Sequence, residues 1–167
     1  KVIPCYYKKD YPEWSDRGDG PGAPVAVHLP NSPVIATGKR DGSKIRLPNG
    51  NYLEETASYY VMIETKGGGY TPALITMKST QLNVSKKWNS MMKTIQIPDG
   101  KGGFAIPPMH GVVYNLASTL QKNDKGSWYG WVVTQDRILG QADKALYLSA
   151  KDFSGNVSKG TVQTKAD

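Results

Sequence analysis

One cysteine, two histidines and two phenylalanines in 167 residues leave this chain little of what builds many small proteins. A lone thiol, Cys5, excludes an internal disulfide framework and any cysteine-rich zinc site. It sits in an apolar run, where a reduced core thiol is expected. No apolar run is long enough to span a membrane, and no signal peptide is visible. Negative charge is also scarce. Lys and Arg total 21 against 14 Asp and Glu, a net charge of +7, with a sequence pI near 9.4. That balance points to a polyanionic partner, nucleic acid or an anionic surface. The chain begins at Lys1 without a methionine and runs directly into a strand-like segment, which fits a fragment of a longer chain.

Apolar residues make up 38% of the sequence beside 18 glycines and 11 prolines. This favours a turn-rich, β-heavy fold over a helical bundle. The length suits one domain, residues 1–167, with a core of its own.

Along the chain, residues 1–9 read as a strand and residues 15–24, rich in Asp, Gly and Pro, as a loop. Residues 25–51 hold short apolar pieces, Val25-Ala26-Val27 and Val34-Ile35-Ala36, expected as short edge strands or irregular structure. A basic cluster of Lys39, Arg40, Lys44 and Arg46 runs through them, and Leu47-Pro48-Asn49-Gly50-Asn51 is a turn. Residues 52–65 alternate as a strand, with Tyr59, Val61 and Ile63 on one face and Tyr60 and Met62 on the other. Lys66-Gly67-Gly68-Gly69 connects it to a return strand over 70–78. Val84, Trp88, Met91, Met92 and Ile95 then recur at helical spacing behind an N-cap at Ser79-Thr80. Lys86, Lys87 and Lys93 lie off that stripe, and the helix should end before Pro98. A strand over 111–120, with Val112, Tyr114 and Leu116 on one face, leads through Asn123-Asp124-Lys125-Gly126 to a second strand over 127–133. A last helix is expected over 143–159, with Gly160 as its C-cap. The fold class expected is mainly β with two helices, an OB-fold-like Greek-key barrel. A generic α+β sheet is the alternative.

Catalytic chemistry is hard to find. His28 and His110 lie in Pro-flanked loops without a ligand partner at metal-binding spacing, and are expected to be solvated. There is no phosphate-binding glycine loop and no nucleophile elbow. Glu54 and Glu55 are adjacent on a strand and point to opposite faces, so they cannot both serve one Mg²⁺ site. No enzyme, no metal and no cofactor is expected.

Binding chemistry is plentiful. Aromatics make up 10% of the chain, and Trp128-Tyr129-Gly130-Trp131 places three of them in four residues. Aromatic strands on a basic β-scaffold hold single-stranded nucleic acid by stacking bases on rings while Lys and Arg track phosphates. Tyr129 and Trp131 share one strand face and Trp128 takes the other, so one of these faces is free of the core. Trp88, on the helix stripe, belongs in the core. Trp14, between Lys8-Lys9 and Arg17 and near Tyr11, is expected in a loop as a stacking residue. The candidate nucleic-acid contacts are Lys8, Lys9, Trp14, Arg17, Lys39, Arg40, Lys44, Arg46, Lys78, Lys86, Lys87, Tyr114, Trp128, Tyr129 and Trp131.

Five separated segments carry a family resemblance. They are Val2-Ile3-Pro4-Cys5-Tyr6-Tyr7 with Glu13-Trp14; Leu47-Pro48-Asn49-Gly50-Asn51-Tyr52; Met77-Lys78-Ser79-Thr80-Gln81-Leu82 with Ser85-Lys86-Lys87-Trp88-Asn89-Ser90; Pro107-Pro108-Met109; and the run from Asn123 to Trp131. In this order the chain resembles a family of tailed-phage proteins from the replication and recombination region that is associated with single-stranded-DNA binding. The resemblance implies an OB-like fold and cooperative binding to single strands in phage DNA metabolism, in the cytoplasm of the infected host. It assigns no contact residues. The expected partners are single-stranded DNA and, beyond it, a phage recombinase or polymerase, with room for a homo-oligomer and no role for a membrane. Two rivals remain. One is a phage structural or interaction protein whose aromatic hairpins form a subunit interface. The other is a metal-dependent nuclease or strand-annealing protein relying on Glu54 or Asp124.

Overall fold

The structure, a computed structural model, describes residues 1–16, 22–124 and 126–162. In chain order its strands and helices are β1 (Val2–Trp14), β2 (Ala26–His28), α1 (Pro33–Thr37), β3 (Lys39–Asp41), β4 (Lys44–Arg46), β5 (Tyr52–Glu54), β6 (Thr56–Glu64), β7 (Tyr70–Lys78), α2 (Leu82–Thr94), β8 (Ile97–Pro98), β9 (Phe104–Ala105), β10 (Val112–Asn123), β11 (Gly126–Ile138) and α3 (Lys144–Ser158). The mainly-β class with two long helices is the one the sequence implies, consistent with an OB-fold-like protein. The chain forms two compact units, and β1, β6 and β7 each contribute to both.

The first unit comprises Lys1–Tyr7, Tyr59–Ile75 and the described residues from Asn83 onward. Its strands pair in the order β7-β6-β1-β10-β11. The pairings of β1 with β10 and of β10 with β11 are antiparallel. Helix α2 lies in sequence between β7 and β10. Val2, Ile3, Pro4 and Cys5 are all buried in succession, so both faces of this strand are covered. On one face Ile3, Cys5, Met62 and Val113 pack with Ala150 of α3, joined by Leu146 and Phe153. On the other, Trp88 of α2 stacks on Tyr59 at 4.4 Å between ring centres and meets Tyr114 edge-on at 5.6 Å. Such pairs contribute about 0.5–1.5 kcal/mol each beyond the area they bury. The helical stripe read from sequence is borne out at Trp88 and Met92, which are buried, and at Ile95, buried just past the helix end. Cys5 is a buried free thiol, as expected, and burial pushes its pKa up to about 12. Gly160, with φ +72°, follows the end of α3, and its N–H donates to the Val157 carbonyl.

The second unit comprises Lys8–Ser58 and Thr76–Leu82. In it β2 and β5 both pair with β1, at Tyr11↔His28 and at Trp14↔Tyr52 among others, and β5-β4-β3 continue as a meander. Tyr11, Ile45, Leu47 and Leu53 form its core, with Val34 and Ile35 packed against them. Val34-Ile35-Ala36, expected as an edge strand or irregular structure, is instead one helical turn. Pro33 at its start suits the first turn of a helix, where its missing N–H costs nothing. The expected Leu47–Asn51 turn is present, closed by the Leu47 N–H on the Asn51 carbonyl at 2.8 Å, with Gly50 at φ +90°.

Strand β1 corrects a further expectation. The strand expected over residues 1–9 runs on to Trp14, through Pro12, which stands opposite Val27. Trp14 therefore stands at a strand end rather than in a loop. The strand expected over 52–65 is two strands, split at Glu55.

Candidate nucleic-acid interface

The first unit presents its aromatics on the β10–β11 ribbon. The two strands join through the expected turn at Asp124, and the ladder runs from Val112↔Ile138 to Asn123↔Gly126 with one register shift at Val113/Tyr114. Both strands are longer than the sequence suggests, because each continues past its apolar stretch along the ladder. Among the described residues β1 meets β10 in register at Val2↔Tyr114, and beyond it the ribbon of β10 and β11 is two-stranded. Leu120 stands opposite Tyr129, Ser118 opposite Trp131 and Lys122 opposite Ser127. Opposed residues share a face, which collects Lys122, Leu120, Tyr129 and Trp131 on one side. Tyr129 is 73% exposed and Leu120 51%. Trp131 is half-buried and lines a hollow of about 300 Å³ with Val84, Lys87, Trp88 and Met91 of α2. Trp128, opposite Gln121 on the other face, is half-buried, and its Nε1 has no acceptor among the described residues.

The sequence thus locates the aromatic strand and its alternation, and Lys87 falls beside Trp131 as a cation against an aromatic hollow. Lys122 was not among the expected contacts. Its two-residue offset from Leu120 was the available signal, but its face is fixed only by the register across to Tyr129. Tyr114 is a correction. It is fully buried between strands and Trp88, its hydroxyl pKa is pushed up to about 12 by burial, and it has no open ring face for a base. Lys86 is exposed on α2.

The second unit holds the basic hairpin β3–β4. Lys39 faces Arg46, and Arg46 in turn faces Tyr52 on β5. Lys44 Nζ sits 3.7 Å from the centre of the Tyr52 ring, with the Arg46 guanidinium at 5.5 Å. Ser15, Asp16, Lys44, Arg46 and Tyr52 line a polar hollow of 410 Å³. Arg46 donates to Asp16 at 3.0 Å and Asp41 at 3.3 Å, and the Asp16 contact is the main cause of its raised pKa. Lys39 and Arg40 are exposed. Sequence reasoning missed Tyr52. The turn that sets β5 against β4 was legible, and it is this turn that brings the ring under both cations.

Other expected cations hold acids. Lys8 pairs with Asp10 at 3.0 Å, Lys9 with Glu55 at 3.1 Å and Lys78 with Glu54 at 2.9 Å. In each pair the lysine is exposed but the acid is largely buried, so the acid keeps its cation from phosphate more firmly than a fully exposed pair would. Trp14 is half-buried, with its Nε1 lacking an acceptor among the described residues. Arg17 lies outside the described residues.

Of the residues weighed for catalysis, the glutamates and both histidines have partners within the chain. Glu54 and Glu55 each receive a lysine, as adjacent strand residues on opposite faces would. The histidines correct the expectation of solvated loops. His28 ends β2 with its Nε2 2.7 Å from Glu13 Oε2, and both side chains are largely buried. Glu13 also accepts from Asn51 at 2.6 Å and Asn49 at 3.2 Å. These hydrogen bonds, Asn51 foremost, then His28, hold its carboxyl below the usual range. His110 packs its ring on Tyr147 at 5.2 Å, and burial lowers its pKa, with Lys151 adding to the effect. Among the described residues no three acidic, His or Cys side chains gather where a metal ion could sit, and no helix is long and apolar enough to cross a membrane.

No curated protein and no solved structure matches the chain. Residues 1–163 match a bacteriophage family described as Pam3 phage gp34-like protein. With nearly its whole length matched, the chain belongs to the Pam3 phage gp34-like protein family.

Proposed function

We propose that this phage protein binds and protects single-stranded DNA during replication or recombination, without catalysing a reaction. The observation that carries the reading is the strand order β7-β6-β1-β10-β11 with α2 between β7 and β10. Counted along the chain, these strands follow the OB order, in which the third strand pairs the second, the second the first, and the first the fourth. OB-folds take up oligonucleotides with the face of their second and third strands and with the connections between strands one and two and between strands four and five. Here the first of those connections carries Lys39, Arg40, Lys44 and Arg46. The strands that flank the second, β10 and β11, carry Lys122, Trp128, Tyr129 and Trp131.

Each element has its own task. The β3–β4 cations exchange condensed counterions for phosphate contacts, which makes affinity fall with salt. Tyr129 and Trp131 offer ring faces to bases of any identity, each stacked base contributing about 1–3 kcal/mol. Lys87 and Lys122 neutralise phosphates beside those rings. A recombinase or polymerase would receive the protected strand in the host cytoplasm.

The exposed Leu120 and Tyr129 also suit the rival reading, a phage structural or interaction protein. Anisotropy titration of a labelled poly-dT oligonucleotide over a salt series, with intrinsic tryptophan fluorescence followed alongside, separates the two. Salt-sensitive binding with tryptophan quenching is expected for the single-strand reading. Absence of binding at low salt overturns it and leaves the interaction protein.

A further inference from the structure

We infer that β11 pairs edge to edge with the β11 of a second copy of this chain, forming a two-fold dimer across a continuous sheet. Among the described residues β11 pairs only with β10 and β7 only with β6, so both are edge strands. Long free edges invite pairing with another chain, and folded proteins guard them with Lys, Pro or bulges. The two edges here are treated differently. β7 carries Pro72 in its span and ends in Lys78. From Gly126 to Gln135 β11 carries no charge and no proline. It is rich instead in aromatic and β-branched residues, the types that make favourable cross-strand pairs. The first charges come only at Asp136 and Arg137, and both are engaged within the chain, Asp136 by Lys1 at 3.0 Å and Arg137 by Asp143 at 2.7 Å.

The same absence of charge selects the occupant. An acidic partner would find no cation along this strand to pair with. Two copies of a +7 chain repel each other over most of their surfaces and can approach along an uncharged strand without opposing like charges. Antiparallel pairing about a two-fold axis sets this strand against itself, as an isologous interface requires. It also turns a two-stranded ribbon, marginal on its own, into a four-stranded one, and it shields Val132, 40% exposed in one copy.

The test is sedimentation velocity of the DNA-free protein over a concentration series, on the wild type, Val132→Lys and Thr134→Lys. Because no oligonucleotide is present, the outcome is independent of whether the single-strand reading stands. The wild type is expected to reach twice the 18.2 kDa chain mass, and each lysine variant to sediment as a monomer with unchanged far-UV circular dichroism. If Val132→Lys fails to fold, Thr134→Lys decides alone. A wild type that stays at one chain mass throughout overturns the inference, and so does a dimer that survives a folded lysine variant, since its interface then lies elsewhere.

Discussion

Lys44 holds its ammonium 3.7 Å above the ring of Tyr52, two strands that meet only because the Leu47–Asn51 turn returns the chain on itself. The contact orients a cation without neutralising it, whereas Arg46 beside it is tied to two carboxylates. Lys44 should therefore be the more available of the two to a phosphate. Lys44→Ala is expected to leave the melting temperature nearly unchanged, as cation–π contacts at exposed sites are worth about 0.5–1 kcal/mol. It should lower the slope of log affinity against log salt by roughly 0.7, the loss of one single-strand phosphate contact. Poly-dT titrations at several salt concentrations read this directly. An unchanged slope would remove Lys44 from the interface.

Trp88 is the mechanical centre of the first unit, stacked on Tyr59 and edge-on to Tyr114. Trp88→Ala should cost about 3–5 kcal/mol, enough to unfold a marginally stable domain. Its Nε1 has no acceptor among the described residues, so Trp88→Phe gives up no hydrogen bond and should cost much less. Ser85→Ala probes the polar side of the cluster, since Tyr59 lies 2.8 Å from Ser85 Oγ but also 3.0 Å from Asn89 Oδ1 and 3.1 Å from the Ser85 carbonyl. With those acceptors left, the loss should stay near 1 kcal/mol. Chemical denaturation of the three variants checks the order.

Much of this arrangement was legible from local pattern. The α2 stripe, the β6–β7 hairpin, the Asn123-to-Gly126 turn and the extent of α3 all follow from periodicity and turn chemistry, which are properties of neighbours in sequence. What was not legible depends on partners far along the chain. Tyr114 looks like any strand aromatic until Trp88 is placed against it. Trp14 looks like a loop residue until β2 and β5 pair with the strand that runs on to it. Tyr52 and Lys122 become site candidates only once cross-strand register is known, and Lys8, Lys9 and Lys78 lose their freedom to acids distant in sequence, Asp10 excepted.

Acid should destabilise the protein in two separable stages. His110 has a folded-state pKa below its ordinary value, through burial. The unfolded chain therefore binds its proton first, and stability is lost as pH falls below about 6.5. Glu13 has a depressed folded-state pKa through Asn51, His28 and Asn49. Its contribution is present above the unfolded value near 4.5 and is lost as pH falls from there through the folded value. His110→Phe should flatten the upper stage and leave the lower, and Glu13→Gln should shrink the lower, leaving the part that Asp99, Asp136 and Asp143 carry through their own depressed carboxyls. Melting temperatures measured from about pH 8 to about pH 3, a range spanning both ordinary values, would show it. An upper stage unchanged in His110→Phe, or a lower stage unchanged in Glu13→Gln, would remove that group from the acid response.

Tyr129 and Trp131 share a ribbon face but differ in burial, and that difference divides binding from stability. Tyr129 is 73% exposed and has little packing to lose. Tyr129→Ala should leave the melting temperature within a degree or so, because surface substitutions usually stay within about 0.5 kcal/mol. It should weaken poly-dT binding by a stacking contribution of about 1–3 kcal/mol, roughly 5- to 150-fold. Trp131 lines the hollow against Val84, Trp88 and Met91, so Trp131→Ala should lower both affinity and stability, and Trp131→Phe should restore most of the stability while keeping a ring for a base. Equal loss of binding in both alanine variants, with loss of stability in Trp131→Ala alone, is the pattern a stacking ribbon requires. If Tyr129→Ala binds as tightly as the wild type, the exposed ring serves another purpose and the subunit-interface reading of the ribbon gains its ground.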